Sequence, residues 1–474
     1  MLSILNKAEK RKYSGFFGAA TLLFFFITCL SLSACQADEI IFDTIPPSAE
    51  QEPAQYGTPF DKVPLTKDIA MYEVNIFGFS ARQDLKGVQD RLDEIQELGV
   101  NVVWLMPIYP IGVEKGIGSP YAISDYSKVN PSFGTLDDLR NLVDAAHERD
   151  MAVILDWVGN HTSWDNVWMK NTGWYTKDAN GTIVSPETWT DVADLNYDNQ
   201  EMRKAMINAM KYWVLEANVD GFRCDYAGGV PTDFWKTAIT ELRNIPNRDI
   251  IMFAEATKKD LYTAGFDLTF GWDFYNALKK VYGEGADAKA LYSVNQADDN
   301  STPNDTDILR FTTNHDDTAW DDTPIALFDG TRGSMAAFVL TGYMGGVPLI
   351  YSGQEVGMTD KLPFFSTNQT IIDWSKNQEL EAEYSKLINF RASSDAIKRG
   401  SIESFDGGAD VLLFKRSYQD EEVLVIVNTR DQQKQISIPA ALTNTKWQNV
   451  MKNEELDLDQ SLEIPAFSYL ILQK

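Results

Sequence analysis

The chain has 474 residues, of which 44% are hydrophobic and 23% are charged. This amount of apolar material supports a large packed core, so the composition excludes a disordered protein, and the length allows up to three domains of roughly 150 residues. The formal net charge is −27, because 69 acidic residues outnumber 42 lysines and arginines. A field of this sign repels polyanions, so we expect no nucleic acid partner.

The N-terminal segment has the pattern of a secretory signal. A basic stretch over 7–12 precedes an apolar run over Phe16–Leu32. The run ends in Leu32–Cys35, which resembles the bacterial lipobox and predicts that residues 1–34 are removed and that Cys35 receives a lipid. The alternative is an uncleaved membrane anchor, for which the apolar run is near the lower length limit.

Residues 35–66 are predicted to be a tether, because they are rich in proline and show little periodicity. The acidic stretch over Gln36–Glu39 is similar to the export signals of Bacteroidetes-type lipoproteins, which predicts an outer-membrane protein at the cell surface. Cys224 is the one cysteine that would remain unmodified in the mature chain, so no disulfide framework is expected.

From Met71 onward, short apolar stretches alternate with amphipathic helical stretches such as Asp84–Leu98. Eight such units predict an α/β fold, a (β/α)₈ TIM barrel over residues 67–400. A doubly wound open sheet is the alternative, and the lack of a glycine-rich phosphate turn after the first strand disfavours it. The predicted strands are 71–77, 101–106, 152–156, 219–224, 250–254, 267–270, 308–312 and 347–351.

Two further segments depart from this alternation. The connection after the third strand is long, over about 157–197, and predicts a short subdomain inserted beside the barrel mouth. After Gly400, short alternating strands with turn signals predict a C-terminal all-β sandwich over 401–474.

Polar groups follow four of the predicted strands at their carboxyl ends, where a barrel carries its reactive groups. Asp225 and Glu255 are one βα unit apart and are expected side by side, with Asp316 across the mouth. Hydrolysis of a glycosidic bond requires such a pair of carboxyl groups. Arg223 lies on the same strand face as Asp225 and is placed to keep it ionised. Any one of these acids alone could be a helix cap or a solvated residue at the barrel rim. Polar groups follow four strands, however, and Asp156 ends the third, so together they favour an active site.

Four segments together resemble, in the same order, the conserved regions of the α-amylase family of glycoside hydrolases. The resemblance extends over about residues 67–400, and a C-terminal sandwich is also typical of that family. The segments are Asp156–His161, Gly221–Asp225, Ala254–Ala256 and Asn314–Asp316.

The resemblance implies roles for individual residues. Asp225 would be the nucleophile that forms a glycosyl-enzyme, Glu255 the general acid and base, and Asp316 the carboxylate that holds and distorts the sugar. The expected outcome is retention of the α-anomer. The residues implied in substrate binding are Tyr121, which would stack on the sugar at the cleavage point, and Asp156, His161, Arg223 and His315.

The resemblance also implies a metal site and shows one departure. Asn160 and Asp194 match two calcium ligands of the family, and their alternative role is to anchor loops by hydrogen bonds. Many α-amylases carry a Lys-His pair where this chain has Gly229 and Val230, which leaves the fine specificity open. The insertion contains four tryptophans, which either line the glucan groove or pack into the core of the insertion. They are Trp164, Trp168, Trp174 and Trp189.

These observations predict a retaining hydrolase of α-1,4-glucosidic bonds in starch or malto-oligosaccharides, with no organic cofactor and with calcium as the candidate metal. Alternatives within the family are a cyclomaltodextrinase or neopullulanase, an α-glucosidase and a glucanotransferase. A non-catalytic glycan-binding protein is the alternative from another class, and retention of all three carboxylates argues against it. The expected partners are the α-glucan, the membrane through Cys35, and other glycan-uptake proteins.

Overall fold

The structure is a computed structural model that describes residues 53–365 and 370–474. The predicted signal peptide over 1–34, the lipidation site Cys35 and the first part of the predicted tether lie outside these residues. In the part of the chain that the structure describes, no helix combines the length and the apolar character that crossing a membrane requires.

Eight parallel strands close into a barrel in which each strand pairs with the next and β8 pairs with β1. The predicted TIM barrel is therefore confirmed, and all eight predicted strands are present. Their side chains are almost all buried, as in a parallel sheet that is covered by helices on its outside. The strands are β1 Met71–Val74, β2 Val102–Leu105, β3 Ala152–Val158, β4 Gly221–Asp225, β5 Ile251–Ala254, β6 Leu268–Phe270, β7 Asp307–Arg310 and β8 Val347–Tyr351.

Helices connect these strands and pack their apolar faces on the barrel. The α-helices are α1 Ile76–Phe79, α2 Leu85–Gln89, α3 Leu92–Glu97, α4 Leu136–His147, α5 Gln200–Glu216, α6 Thr232–Arg243, α7 Asp260–Ala264, α8 Trp272–Gly283, α9 Ala290–Ser301, α10 His315–Trp320, α11 Pro324–Leu327, α12 Gly330–Tyr343, α13 Gln378–Ser393 and α14 Asp395–Arg399. Short 3₁₀ helices cover Thr66–Asp68, Val167–Lys170, Thr172–Trp174 and Ala227–Gly229.

The periodicity over Asp84–Leu98 predicts one helix, but the structure has two, α2 and α3. Arg91 leaves the helical conformation between them, with φ −117° and ψ 14°. Its guanidinium group lies 4.0 Å from the centre of the Trp374 ring. This contact of Arg91 with a distant part of the chain is not visible in the local periodicity.

Residues 53–65, which fall within the predicted tether, pack against the barrel. The Tyr56 hydroxyl donates to Asp144 at 2.7 Å, and Phe60 stacks on the His147 ring with 4.3 Å between the ring centres. His147 also lies 2.7 Å from the buried carboxylate of Asp220. His147 is therefore largely buried. The helical pattern of the sequence favours a position on the helix surface instead.

The connection between β3 and β4 forms the predicted inserted subdomain. Its framework is a two-stranded antiparallel sheet of His161–Ser163 and Val192–Asp194, in which His161 is paired with Asp194. Trp168 packs between Tyr126 and Trp174, with ring centres 4.7 and 5.3 Å away. This aromatic cluster fixes the base of the insertion to the barrel.

The C-terminal domain is all-β, as predicted. Successive side chains along its strands pack into two different cores. Leu412 and Phe414 face the barrel, whereas Val411 and Leu413 face the second, two-stranded sheet. The strands form a six-stranded sheet in the order β9-β10-β11-β16-β13-β14 and a pair β12-β15. They are β9 Ser401–Phe405, β10 Val411–Tyr418, β11 Glu421–Asn428, β12 Lys434–Ser437, β13 Thr445–Asn449, β14 Glu454–Leu458, β15 Ser461–Ile464 and β16 Tyr469–Gln473.

Candidate active site

Three carboxyl groups meet at the carboxyl ends of the barrel strands. Asp225 is the last residue of β4, Glu255 directly follows β5, and Asp316 lies in the first turn of α10, after β7. The Asn314 side chain caps α10 and accepts from the backbone N–H groups of Asp316 and Asp317 at 2.9 and 2.8 Å. The backbone therefore positions each of these carboxyl groups at the mouth of the barrel.

Arg223 connects the carboxyl groups of three strands. Its Nη1 donates to Asp156 Oδ1 at 2.9 Å and to Asp225 Oδ1 at 3.0 Å, and its Nη2 lies 3.0 Å from Glu255 Oε2. The Arg223 side chain is fully buried, so its charge is compensated by these carboxylates rather than by water. One guanidinium group thus holds Asp225 and Glu255 close together.

The pKa values of both candidate catalytic groups are raised. Burial raises the pKa of Asp225 to about 6, against the opposing effect of Arg223. Burial raises the pKa of Glu255 further, to about 7, with Arg223 again opposing the shift. Burial thus favours the protonated form of a carboxyl group here and Arg223 favours the ionised form, and the proposed reaction needs one group in each form.

A second network places the predicted sugar-binding groups around Asp156. The Tyr121 hydroxyl lies 3.2 Å from Asp156 Oδ2 and 2.6 Å from His315 Nε2, and Trp104 Nε1 donates to the same Asp156 oxygen at 3.2 Å. The Tyr121 and His315 rings are stacked, with 5.6 Å between their centres. These side chains form one wall of the site.

Glu73 is a member of the site that the sequence analysis missed. It lies fully buried on β1, and its Oε1 pairs with His315 Nδ1. Burial alone would lower the pKa of His315, but the carboxylates of Asp316 and Glu73 raise it to about 9. The sequence feature that could have indicated this pairing is the presence of an acidic residue within an apolar strand.

Comparison with known proteins assigns this site to a family. A family model described as the alpha amylase catalytic domain matches residues 74–182 and 174–435, and a model of the maltogenic amylase C-terminal domain matches 406–471. The chain belongs to the alpha-amylase family. All of β2–β8 and the three carboxyl groups at the barrel mouth fall within the matched residues.

Individual members of the alpha-amylase family are similar to this chain in sequence or in fold. An alpha-amylase of Dictyoglomus thermophilum is 28% identical over 74% of this chain, and the chain spans 64% of the length of that relative. The crystal structure of an alpha-amylase from Lactobacillus plantarum superposes with a TM-score of 0.78 at 26% identity, covering 86% of this chain and 99% of that one. A maltogenic alpha-amylase from Thermotoga neapolitana gives a TM-score of 0.78 at 27% identity, covering 87% and 99%.

His161, another family-implied binding residue, lies at the entrance of the insertion. Its ring is buried, and Asn160 Nδ2 lies 3.3 Å from its Nδ1. Burial lowers the pKa of His161 to about 4, so this imidazole is neutral near pH 7. Trp189 lies beside it, with 5.7 Å between the ring centres.

The four tryptophans of the insertion have different surroundings. Trp168 and Trp174 contact each other and belong to the small core described above. Trp164 lies under the Lys115 ammonium group, 3.2 Å from the ring centre. The Trp189 ring contacts the ring of Tyr226, the residue after Asp225, with 4.9 Å between the ring centres.

The family-implied calcium ligands, Asn160 and Asp194, lie in adjoining parts of the insertion, because Asp194 pairs with His161 and the Leu195 N–H donates to the Asn160 carbonyl. Residues 53–365 and 370–474 contain no cluster of three or more His, Cys, Asp or Glu side chains suited to a metal. Two side-chain donors fall short of the six to eight oxygens that calcium takes. These two side chains would supply only part of such a set, and calcium binding stays a prediction.

Proposed function

We propose that the protein is a retaining glycoside hydrolase that cleaves α-1,4-glucosidic bonds in starch or malto-oligosaccharides. The observation that carries the proposal is the shared contact of Asp225 and Glu255 with the Arg223 guanidinium group. Retaining enzymes need their two carboxyl groups closer together than inverting enzymes, which leave room for a water molecule. Membership in the alpha-amylase family supports the choice of substrate.

In the proposed reaction, Asp225 attacks the anomeric carbon while Glu255 donates its proton to the leaving glycosidic oxygen. The C1–O bond breaks, and an ester between the sugar and Asp225 forms. Glu255, now ionised, takes a proton from water, whose oxygen attacks C1 and releases Asp225. Asp316 and the wall of Tyr121 and His315 hold the sugar during both steps.

Trapping the covalent intermediate tests this proposal. A 5-fluoro-α-glucosyl fluoride forms the intermediate and slows its hydrolysis, so peptide mass spectrometry should find the sugar on the peptide that contains Asp225. The Asp233→Asn variant is the control, because Asp233 lies on α6 with 70% of its side chain exposed. A label on another carboxylate, or turnover of α-glucans without any label, would contradict the assignment of the nucleophile.

The fine specificity is tested by product profiles. We propose that starch and malto-oligosaccharides are cleaved faster than cyclodextrins, pullulan or maltose. Preferred cleavage of cyclodextrin or pullulan would indicate a cyclomaltodextrinase or neopullulanase, cleavage of maltose an α-glucosidase, and longer products a glucanotransferase. Binding of glucan without any cleavage would indicate a non-catalytic glycan-binding protein.

We also propose that the mature protein is anchored by a lipid on Cys35 to the outer membrane, at the cell surface, where it would meet other glycan-uptake proteins. The lipobox-like sequence and the acidic residues after it support this location. Protease treatment of intact cells should degrade the wild-type protein, and Cys35→Ala should abolish membrane attachment. Full protection of the wild-type protein would contradict a surface location. Chelation of calcium tests the prediction that this ion binds at Asn160 and Asp194.

A further inference from the structure

Glu73 is a carboxylate buried in β1, away from the open mouth of the barrel. Its side chain is fully buried, and its backbone carbonyl accepts from the N–H and the hydroxyl of Ser352 at 3.0 and 2.7 Å. Its Oε1 pairs with His315 Nδ1, whereas in the described part of the chain its Oε2 has no hydrogen-bond partner. Glu73 therefore cannot contact a bound sugar and acts on its surroundings through His315.

The surroundings of His315 hold its ring in the charged form. Burial favours the neutral ring, but Asp316, whose Oδ2 lies 3.5 Å from Nε2, and Glu73 favour the charged one, so the pKa of His315 lies at about 9. The buried charge of Arg223 opposes this shift only in part. At pH 7 both ring nitrogens therefore carry a proton, and Nε2 can donate a hydrogen bond but cannot accept one.

The Tyr121 hydroxyl connects His315 to Asp156. It lies 2.6 Å from His315 Nε2, so it accepts from the charged ring and is left to donate its own hydrogen. The acceptor for that hydrogen is Asp156 Oδ2, 3.2 Å away, which also accepts from Trp104 Nε1 at 3.2 Å. A neutral His315 with an unprotonated Nε2 would accept from Tyr121 instead, and Asp156 would lose this donor.

Asp156 depends on such donors because it is fully buried. Burial raises its pKa to about 6, and the charges of Arg223 and His315 oppose that shift. The ionised Asp156 in turn compensates the Arg223 guanidinium group, whose Nη1 donates to Asp156 at 2.9 Å and to Asp225 at 3.0 Å. The charge of His315 also favours the ionised form of Asp225. The contacts that begin at Glu73 therefore extend to the candidate nucleophile.

We propose that Glu73 is a positioning residue that keeps a proton on both nitrogens of His315 and thereby directs the Tyr121 hydroxyl to Asp156. This inference rests on the proposed function, in which Tyr121 and His315 hold the sugar. It assigns to β1 a side chain that orders the groups around the sugar without touching the substrate.

A double-mutant cycle at pH 7 tests this chain of contacts. In Glu73→Gln the amide oxygen can accept from Nδ1 as Oε1 does, so we expect the neutral His315 ring to keep that proton and to accept from Tyr121 at Nε2. Glu73→Gln and Tyr121→Phe should each lower kcat/KM for maltopentaose about tenfold, because both remove the same contact with Asp156. The double variant should therefore also lose about tenfold. Independent losses, which would multiply to about a hundredfold, would overturn the inference.

The state of the His315 ring can be read without substrate. Nitrogen NMR of the histidine-labelled wild-type protein at pH 7 should show both ring nitrogens of His315 protonated, and in Glu73→Gln the Nε2 proton should be lost. A merely structural role of Glu73 would leave this signature unchanged. A wild-type His315 with only one protonated nitrogen would overturn the inference even if the variants fail to fold.

Glu355→Gln is the matched control for loss of a buried carboxylate. Glu355 is also buried, and it accepts from the Tyr72 hydroxyl at 2.5 Å. Any loss that it causes should multiply with that of Tyr121→Phe. The same lack of additivity with Glu355→Gln, or an unchanged kcat/KM in Glu73→Gln, would overturn the inference. A wild-type protein that cleaves no α-glucan would instead refute the proposed function.

Discussion

Buried arginines lie at both ends of the barrel, and their partners differ. At the carboxyl end, Arg223 is surrounded by carboxylates from three strands. At the amino end, Arg391 donates to the carbonyls of Lys67, Ile69 and Gly346 at 2.9 to 3.3 Å. Arg416, from the C-terminal sheet, also donates to three backbone carbonyls, the nearest at 2.7 Å.

The pKa values of these three arginines shift in opposite directions at the two ends of the barrel. The carboxylates raise the pKa of Arg223 well above its ordinary value, against the effect of burial. Burial lowers the pKa of Arg391 and of Arg416 to about 10, because neutral carbonyls compensate the charge less. The carboxyl end thus concentrates ionisable groups for chemistry, whereas the amino end joins the C-terminal domain to the barrel.

The largest effect is expected from Asp225→Asn at the carboxyl end. The amide cannot attack the anomeric carbon, so kcat on starch should fall by about 10⁴-fold or more while glucan binding remains measurable. Asp233→Asn, on the exposed face of α6, should retain wild-type kcat. Substantial hydrolysis by Asp225→Asn would contradict the assignment of Asp225 as the nucleophile.

Glu255→Gln should lower kcat/KM, which reports the first step, on malto-oligosaccharides by about 10² to 10⁴-fold, since the leaving oxygen loses its proton donor. The loss should be much smaller for α-maltosyl fluoride, because fluoride leaves with little help from an acid. Rates of the two substrates measured side by side give the comparison. Equal losses on both would contradict a role in leaving-group protonation.

The wild-type pH profile should be a narrow bell. Asp225 must be ionised, so kcat/KM should fall as the pH drops below about 6, the value to which burial raises its pKa. Glu255 must be protonated, so kcat/KM should fall as the pH rises above about 7. In Glu255→Gln the alkaline fall should disappear for the fluoride substrate. A wild-type profile that is flat from pH 5 to 9 would be incompatible with these assignments.

A smaller effect is expected from Glu73→Gln, which keeps the shape of the side chain and removes its charge. The pKa of His315 should fall from about 9 towards its ordinary value, since one of the two carboxylates that raise it is lost. We expect about a tenfold loss of kcat/KM above the new pKa. The chain has three histidines, so NMR titration of their ring protons can follow His315 directly. An unchanged titration would show that Glu73 does not set the charge of His315.

At the amino end, Arg416→Met should leave kcat of the folded protein unchanged and lower the free energy of unfolding by about 2 to 4 kcal/mol, because buried carbonyls lose their donor. Urea unfolding and kinetics on the same sample measure both quantities. Arg332→Met is the control, as its side chain is 53% exposed and pairs with Glu383; its cost should be within about 1 kcal/mol. A large loss of kcat in Arg416→Met would contradict the assignment of catalysis to the carboxyl end and of stability to the amino end.

The sequence was most informative where a local pattern carries the information. Alternating apolar runs were sufficient to predict the barrel, and acids at strand ends were sufficient to bring Asp225 and Glu255 together. Contacts between distant segments were not predictable in this way: Glu73 and His315 are 242 positions apart. The same holds for the break at Arg91 and for the packing of Phe60 on His147.

In the proposed mechanism, Asp225 and Glu255 perform a double displacement with retention. Its most direct test is proton NMR of the anomeric signals during the first minutes of starch hydrolysis by the chain from residue 36 onward. With retention, α-anomeric products appear first and the β-anomer grows only as mutarotation proceeds. Early β-anomeric products would contradict the double displacement and the roles assigned to both carboxyl groups.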